Sequence, residues 1–387
     1  MNVAIDTHPY RERFVERLEA NGDITSKRVR EAFLAVPRHL FFKYYYRRQQ
    51  NGWEYCPREE TDSWYETIYS DEGLISLLDD DGHILSCGSQ PAVMAWMLEA
   101  LDVRPGQRVL EIGTGTGYNA ALLAYLTGDP RLVTTIDIEA QTIAAAASAI
   151  GQAVGPGMTV VVGDGREGYA ANAPYDRIIV TGGYPTVPLA WKEQLAQNGI
   201  LACVIEPGLM SGAVTGGVLR AVKEGSRLSG HVVRRATFML LHAGGIAQQS
   251  RRYPRLENML LTIPARSSES PLFDPSALSS PDFMFLLYYD LPDFYWYVRR
   301  EGSGMAKVYA LRSHPEAALV IAPDGEQMEL RGDERQARIF WNHLLRAYSF
   351  WLHLGRPGIT DYKFEMPGEE GFLSITMPTG TVWPFAP

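Results

Sequence analysis

Three glycines at alternate positions, Gly113, Gly115 and Gly117, follow the apolar run Val109-Leu-Glu-Ile112 and precede an Ala- and Leu-rich stretch that starts at Tyr118. Glycines in such a turn adopt positive backbone dihedrals, and they let main-chain N–H groups approach a ligand that a β-carbon would keep away. The next β-branched run, Val133-Thr-Thr-Ile136, ends at Asp137. That is about the ~20-residue distance at which a carboxylate pairs with both hydroxyls of a ribose. A third run, Val160-Val-Val162, ends in Gly163-Asp164-Gly165. A glycine turn alone also serves NAD proteins, but a second acid at the following strand end suits the amino group of an adenine. These residues point to capture of a nucleoside at the carboxyl edge of a parallel sheet.

The elements that must position them alternate. Strands are predicted at 108–112, 132–136, 159–162, 176–181 and 199–205, with helices at 91–102, 118–127, 139–151 and 188–196. Such alternation means a mostly parallel sheet covered on both faces, an α/β, Rossmann-like architecture. Tyr10 to Leu18 and Ser26 to Leu34 carry apolar residues at helical spacing and form an N-terminal helical cap. Residues 38–69 are crowded with aromatics and charges and read as an irregular segment over the sheet, with a peptide-contacting surface as the alternative. Antiparallel strands at 217–223, 228–236 and 238–241 would close the sheet edge. Beyond Gly244-Gly245 lies a Ser- and Pro-rich boundary, Arg266 to Pro281. Strands at 283–297 and 317–321, a helix over 335–354 and short strands at 364–366, 372–377 and 381–383 complete an additional C-terminal α+β domain. The expected division is 1–245 (cap 1–85, core 86–245) and 246–387.

Composition sets limits. With 387 residues and 46% hydrophobic content the chain can build two cores. A formal charge of −9 argues against tight nucleic-acid binding. Cys56, Cys87 and Cys203 fit neither a disulfide framework nor a zinc site, and no metal is expected. The eight histidines show no metal-type or triad-like grouping and read as surface or turn residues. Met1 to Ala20 has no apolar export core, and Phe283 to Val298 is interrupted by Asp290, Pro292 and Asp293. A cytosolic protein that does not span a membrane is expected.

The order of strand ends, glycine-rich, acid and Asp-Gly, resembles the class I S-adenosylmethionine methyltransferases. The flanking residues narrow the likeness to the protein-L-isoaspartate O-methyltransferase family. Val36-Pro37-Arg38 with Phe41 is similar to that family's N-terminal helix end, and Ser89-Gln90-Pro91 to its active-site turn. Val109 to Tyr118 is similar to its glycine motif; Gly163-Asp-Gly165, Pro174 to Thr181, Asn198-Gly-Ile-Leu201 and Phe238-Met-Leu-Leu241 follow in its order. The resemblance covers residues 10 to 245. It implies S-adenosylmethionine as cofactor, S-adenosylhomocysteine as product and Ser89 as the residue that orients the substrate. The implied cofactor contacts are Gly113, Gly115, Gly117, Asp137, Asp164 and Gly165, with Thr114 and Ile138 beside them. Glu111 is suited either to a loop N–H near the cofactor or to a structural bond inside its strand. Ser89 also suits a helix N-cap ahead of Pro91, and Asp176 a turn at a strand start.

Methyl transfer from a sulfonium is an in-line displacement, and a carboxylate acceptor needs no general base. The turn Ser86 to Pro91 offers hydroxyls and neither His nor Lys. It departs from the family in two places: Cys87-Gly88 replace the first two positions of a Thr-Ile-Ser-Gln type turn, and His242 stands where a small hydroxyl residue is usual. Both changes fall in the acceptor pocket. A narrower likeness concerns the extension, which is not expected in repair methyltransferases. Tyr69-Ser-Asp71, the helix end Trp351 to Gly358 and the final strands through Val382-Trp383 resemble methyltransferases of ribosomally made macrocyclic peptides such as graspetides, lanthipeptides and lasso peptides. This implies methylation of an aspartyl side chain in a modified peptide, followed by attack of the next amide nitrogen and closure to aspartimide.

Overall fold

The computed structural model describes residues 5–50, 52–206, 216–238, 265–266, 273–291, 293–325, 327–376 and 382–385. Two compact units emerge: one comprises 1–182, 188–203 and 220–228, the other 183–187, 204–219 and 229–387.

In the first unit, helix α1 (His8–Ala20) buries Phe14, Val15 and Leu18 along one stripe. Helix α2 (Lys27–Ala35) starts where Ser26 Oγ accepts the Val29 N–H at 3.3 Å, and it buries Val29, Ala32 and Phe33. The next segment departs from expectation. Instead of irregular chain it forms the hairpin β1 (Tyr44–Gln49) and β2 (Gly52–Pro57), then helix α3 (Asp62–Ile68). Aromatic residues, of high strand propensity, fill Tyr44 to Tyr46 on β1 and Trp53 and Tyr55 on β2, and the two strands pair antiparallel from Tyr44 with Pro57 to Gln49 with Gly52. Strands β3 (Leu74–Leu78) and β4 (Ile84–Gly88) complete a four-stranded antiparallel sheet of order β2-β1-β3-β4. Ser86, Cys87 and Gly88 therefore lie in a strand, and the turn expected over 86–91 is confined to Ser89 and Gln90.

Helix α4 (Pro91–Leu101) leads into the doubly wound part: β5 (Val109–Ile112), α5 (Tyr118–Thr127), β6 (Val133–Asp137), α6 (Ala140–Val154), β7 (Thr159–Val162), β8 (Tyr175–Tyr184), α7 (Leu189–Gln194), β9 (Leu195–Ile205), β10 (Gly217–Glu224) and β11 (Arg227–Arg235). The order runs β10-β9-β8-β5-β6-β7, and β8, β5, β6 and β7 are mutually parallel. All four residues of β5 are buried, which explains why its apolar residues Val109, Leu110 and Ile112 do not alternate with exposed polar ones. The chain moves from β5 to β6 and β7 on one side, then returns to β8 on the other. That reversal opens a crevice beyond the carboxyl end of β5, where α/β sheets bind ligands. Of the expected strand 238–241, residues 239–241 lie outside the described residues, as does His242.

The second unit carries β12 (Ala265–Arg266), α8 (Pro281–Asp290), β13 (Phe294–Glu301), β14 (Gly304–Leu311), β15 (His314–Ile321), β16 (Met328–Gly332), α9 (Glu334–His353), β17 (Lys363–Met366), β18 (Phe372–Thr376) and β19 (Val382–Phe385). An antiparallel sheet of order β12-β16-β15-β14-β13 packs against α9, while β17, β18 and β19 follow β11 in a second run of strands. The single strand expected over 283–297 is instead α8 followed by β13. Ser280 Oγ accepts the Phe283 N–H at 3.5 Å and Pro281 opens the helix. Residues Phe283 to Tyr288 are all buried, and periodicity cannot separate a wholly buried helix from a buried strand.

Candidate active site

The glycine turn after β5 is held from three directions. Gly113 has φ +94° and donates its N–H to Ile136 O at 2.8 Å; a Cβ there would stand 2.7 Å from Thr181 Oγ1. Gly115 has φ +52°, and its Cβ would stand 2.9 Å from the Cys87 carbonyl oxygen. The turn thus presses directly on the strand that leads to Ser89. Asp137, at the end of β6, accepts the Gly115 N–H at 3.0 Å through one oxygen and the Glu139 N–H at 3.1 Å through the other.

Beneath this turn Glu111 is fully buried. Asn119 Nδ2 donates to its Oε1 at 2.8 Å and Thr135 Oγ1 to its Oε2 at 2.6 Å, and the hydroxyls of Thr135 and Thr114 are 2.7 Å apart. Burial pushes the Glu111 carboxyl up to about 7, against the pull of those two hydrogen bonds. Both of these partners of Glu111 are side chains of neighbouring elements, Asn119 on α5 and Thr135 on β6.

Asp164, after β7, accepts the Arg166 N–H at 2.9 Å, and both its oxygens meet the Arg166 guanidinium. The Arg166 hydrogen bond holds its pKa below the ordinary aspartate value. A Cβ on Gly165 would stand 2.4 Å from Ile112 Cγ2, so this acid's turn is also packed onto β5. Ile138 is 40% exposed beside Asp137. Two carboxylates at successive strand ends, an open aliphatic side chain next to one of them and a glycine turn too tight for β-carbons suit an adenosine-bearing ligand. A cavity beside Gly115 and Thr116 is walled by Phe41, Tyr44, Leu77 and Thr142.

The acceptor turn lies against the same glycines. Ser89 is half-buried, and its carbonyl accepts from Arg38 Nη2 at 3.4 Å. The N-cap alternative for Ser89 is not what forms: Gln90 is the cap residue of α4, and the Ala92 N–H is taken by Asp71 Oδ1 at 2.8 Å. Asp71 Oδ2 also accepts from Gln90 Nε2 at 2.9 Å, so the turn is tied at both sides. The neighbouring Cys87 thiol is pushed up to about 11 by burial, with a Ser89 hydrogen bond opposing, and is not a thiolate nucleophile near neutrality. Ser86 Oγ is buried without a hydrogen-bond partner among the described residues, about 4.0 Å from a Cβ built on Gly115.

Arg38, Asp71 and Ser86 were not singled out from sequence as site residues. His39 corrects the expectation that the histidines are surface or turn residues: it is buried against Tyr69 Oη at 2.7 Å, and burial lowers it to about 4. Asp176, near the start of β8, accepts the Arg108 N–H at 2.8 Å and so ties the start of β8 to the residue ahead of β5. Among the described residues no helix is long and apolar enough to cross a membrane.

Comparison with known proteins fits this geometry. Residues 10–214 match the family described as protein-L-isoaspartate(D-aspartate) O-methyltransferase. A protein-L-isoaspartate O-methyltransferase of Methanopyrus kandleri is 39% identical over 190 residues, 49% of this chain and 74% of that protein. One of Ignicoccus hospitalis is 35% identical over 192 residues, 50% of this chain and 80% of its own. A solved structure named protein-L-isoaspartate O-methyltransferase aligns over 95% of this chain and 100% of its own, with a TM-score of 0.56 and 22% identity, a likeness of fold. That structural alignment extends past residue 245, whereas the alignments with the Methanopyrus and Ignicoccus enzymes cover about half of this chain. The chain belongs to the protein-L-isoaspartate(D-aspartate) O-methyltransferase family, and is a carboxyl methyltransferase that uses S-adenosylmethionine.

Proposed function

We propose that this enzyme esterifies an aspartyl side-chain carboxylate in a ribosomally made, macrocyclised peptide, and that the ester collapses to an aspartimide. The observation that carries the acceptor chemistry is the turn itself. Ser86 Oγ stands about 4.0 Å from the Gly115 β position, Ser89 follows three residues later, and residues 86–91 contain no His or Lys to serve as a base. An amine or alcohol acceptor must lose a proton to react, whereas a carboxylate is already ionised at neutral pH.

In this reading Ser89 donates a hydrogen bond to one carboxylate oxygen and leaves the other to attack; as a hydroxyl it stays neutral while the substrate's charge is consumed. Asp137 takes the ribose hydroxyls and Asp164 the adenine amino group, with Glu111, Gly113, Thr114, Gly115, Gly117, Ile138 and Gly165 around them. Bound there, S-adenosylmethionine supplies the methyl group that the carboxylate takes by in-line displacement. The turn's contribution is alignment and exclusion of water. The ester is a better acyl acceptor than the acid, and a macrocycle holds it close to the next residue's amide nitrogen, which attacks the carbonyl and expels methanol. A catalytic domain over 1–245, a substrate-recognition domain over 246–387 and a cytosolic location belong to the same proposal.

General repair of isoaspartyl residues is the second reading, favoured by the names of the relatives and by the alignment over nearly the whole chain. Mass spectrometry after incubation with S-adenosylmethionine separates the two. A macrocyclic aspartyl peptide should gain one methylene and then show a net loss of one water. Esterification confined to a short isoaspartyl peptide would instead establish the repair reading, and a stable ester on the macrocycle would remove the imide step.

A further inference from the structure

The hairpin of β1 and β2 has two unlike faces. On one, Tyr45 is buried and Arg47 pairs with Glu54: Arg47 reaches Tyr45 Oη at 2.9 Å and Glu54 at 3.6 Å, and Gln49 Nε2 donates to Glu54 at 2.8 Å. The other face carries Tyr44, Tyr46 and Arg48 from β1, opposite Tyr55 and Trp53 of β2. Its three tyrosine rings form a closed cluster with centroids 5.1–5.7 Å apart (Tyr44 to Tyr55 at 5.1 Å, Tyr44 to Tyr46 at 5.6 Å, Tyr46 to Tyr55 at 5.7 Å). Arg48 lies over the Trp53 ring at 4.8 Å, and Trp53 Nε1 donates to Gly82 O at 2.8 Å, which fixes that ring. Tyr55 is 55% exposed.

Register connects this face to the acceptor turn. Tyr55 pairs with Tyr46, Tyr46 with Ile75 and Ile75 with Cys87, so the four side chains form one cross-strand row on one face of the sheet. Ser89 stands two residues past Cys87. Adjacent strands are about 4.8 Å apart, so the row leads from open tyrosine to the acceptor turn in roughly 15 Å. At the near end Tyr44 borders the cavity that also exposes Gly115 and Thr116.

The charge of this segment runs against that of the chain. Residues 43–58 contain four basic residues and one acid, within a chain of net charge −9. Among the described residues, neither Lys43 nor Arg48 has a carboxylate partner. Rigid aromatic rings interleaved with unneutralised cations recognise an acidic chain, since the rings bury area at small entropy cost and the cations select sign.

We propose that the Tyr44, Tyr46 and Tyr55 face of the hairpin, with Arg48 on it and Lys43 lining the adjoining cavity, docks an acidic segment of the peptide substrate flanking the carboxylate to be methylated. The inference rests on the peptide-carboxylate reading above and names the substrate's flanking chemistry. The probes are two labelled isoaspartyl peptides of equal length, one with four glutamates beside the isoaspartyl residue and one with four lysines. Binding is read by fluorescence anisotropy with S-adenosylhomocysteine present, and methyl transfer separately. The enzyme should bind the glutamate peptide about tenfold more tightly, and Arg48→Glu with Tyr55→Ala should abolish that preference. Calorimetric affinity for S-adenosylhomocysteine should stay unchanged, which certifies the fold of the variant. Equal affinity for both peptides, or a preference that survives the double substitution, overturns the docking assignment. Charge-selective binding with methyl transfer to neither peptide would sink the isoaspartyl acceptor while leaving the docking surface standing.

Discussion

The Arg38 guanidinium is wholly buried beneath the turn that carries Ser89, and it joins the Ser89 carbonyl to those of Ile68, Ser70 and Glu72 at 2.8–3.4 Å (Ile68 and Ser70 at 2.8 Å, Glu72 at 2.9 Å, Ser89 at 3.4 Å). Desolvation lowers its pKa to about 10, so it stays a cation at neutral pH. Lysine keeps that charge but cannot span four carbonyls in two separate segments, because it lacks the planar fork. Arg38→Lys should lower unfolding stability by about 3 kcal/mol or more in urea titrations, as charge-assisted bonds to buried carbonyls are lost. Methyl transfer should fall further than the affinity for S-adenosylhomocysteine, because the displaced element is the acceptor turn. Equal loss in both would make Arg38 a purely structural residue.

Ser89 and Asp137 should separate under substitution. Ser89→Ala removes one hydroxyl at the acceptor end and should slow methyl transfer roughly a hundredfold, the order found when one oriented donor is deleted. Cofactor affinity should change less than twofold. Asp137→Ala removes the acceptor for Gly115 and Glu139 N–H groups and frees the glycine turn, so calorimetric affinity for S-adenosylhomocysteine should drop at least about tenfold. Comparable cofactor weakening in the two variants would contradict the division of roles.

Glu111 gives a pH signature whose sign follows from burial. Its carboxyl lies at about 7 in the fold against 4.5 as reference, because burial disfavours the charged form. Between those values the unfolded chain has lost the proton and the folded chain has kept it. The contribution to stability is therefore fully present below about 4.5 and is lost as pH rises through about 7, by roughly 3 kcal/mol in all. Glu111→Gln keeps a neutral side chain able to bond Asn119 and Thr135. The difference in unfolding free energy between the two proteins should move in the variant's favour from pH 5 to pH 8. A difference independent of pH would mean that Glu111 is ionised throughout.

The parts of this architecture that were legible in the sequence are those specified by neighbours along the chain. Gly113, Gly115 and Gly117 announce their turn because only glycine fits it, and Asp137 follows at the span of one helix and one strand. Helix α9 was readable because its buried stripe, Ala337, Phe340, Trp341 and Leu344, repeats at helical spacing. Helix α8 was not, because a run buried on every side carries no period. The hairpin was missed although Asn51-Gly52 marked it, since aromatic crowding masked the alternation of Tyr44, Tyr46 and Arg48. Arg38 and Asp71 were invisible as site residues for a different reason. Each bonds main-chain atoms about 20 to 50 positions away, which no local pattern encodes. What hinted at Arg38 was a cation set among the buried apolar residues Val36, Phe41 and Phe42.

Two glycines test whether the approach of the turn to the acceptor strand, rather than backbone strain alone, governs the site. Gly115 and Gly128 both have positive φ, +52° and +78°. A Cβ on Gly128 would meet nothing within 4 Å, whereas on Gly115 it would meet the Cys87 carbonyl oxygen at 2.9 Å. Gly128→Ala should therefore cost only the left-handed strain of an L-residue, about 1–2 kcal/mol in urea unfolding, and leave both cofactor affinity and methyl transfer intact. Gly115→Ala carries the same strain and must also move either the glycine turn or the β4 end by several tenths of an ångström. A misplacement of that order between reacting groups is enough to slow an oriented displacement many-fold. Methyl transfer should fall by at least tenfold more in Gly115→Ala than in Gly128→Ala at matched stability; equal rates in the two would show that contact between the glycine turn and Cys87 does not position the reaction.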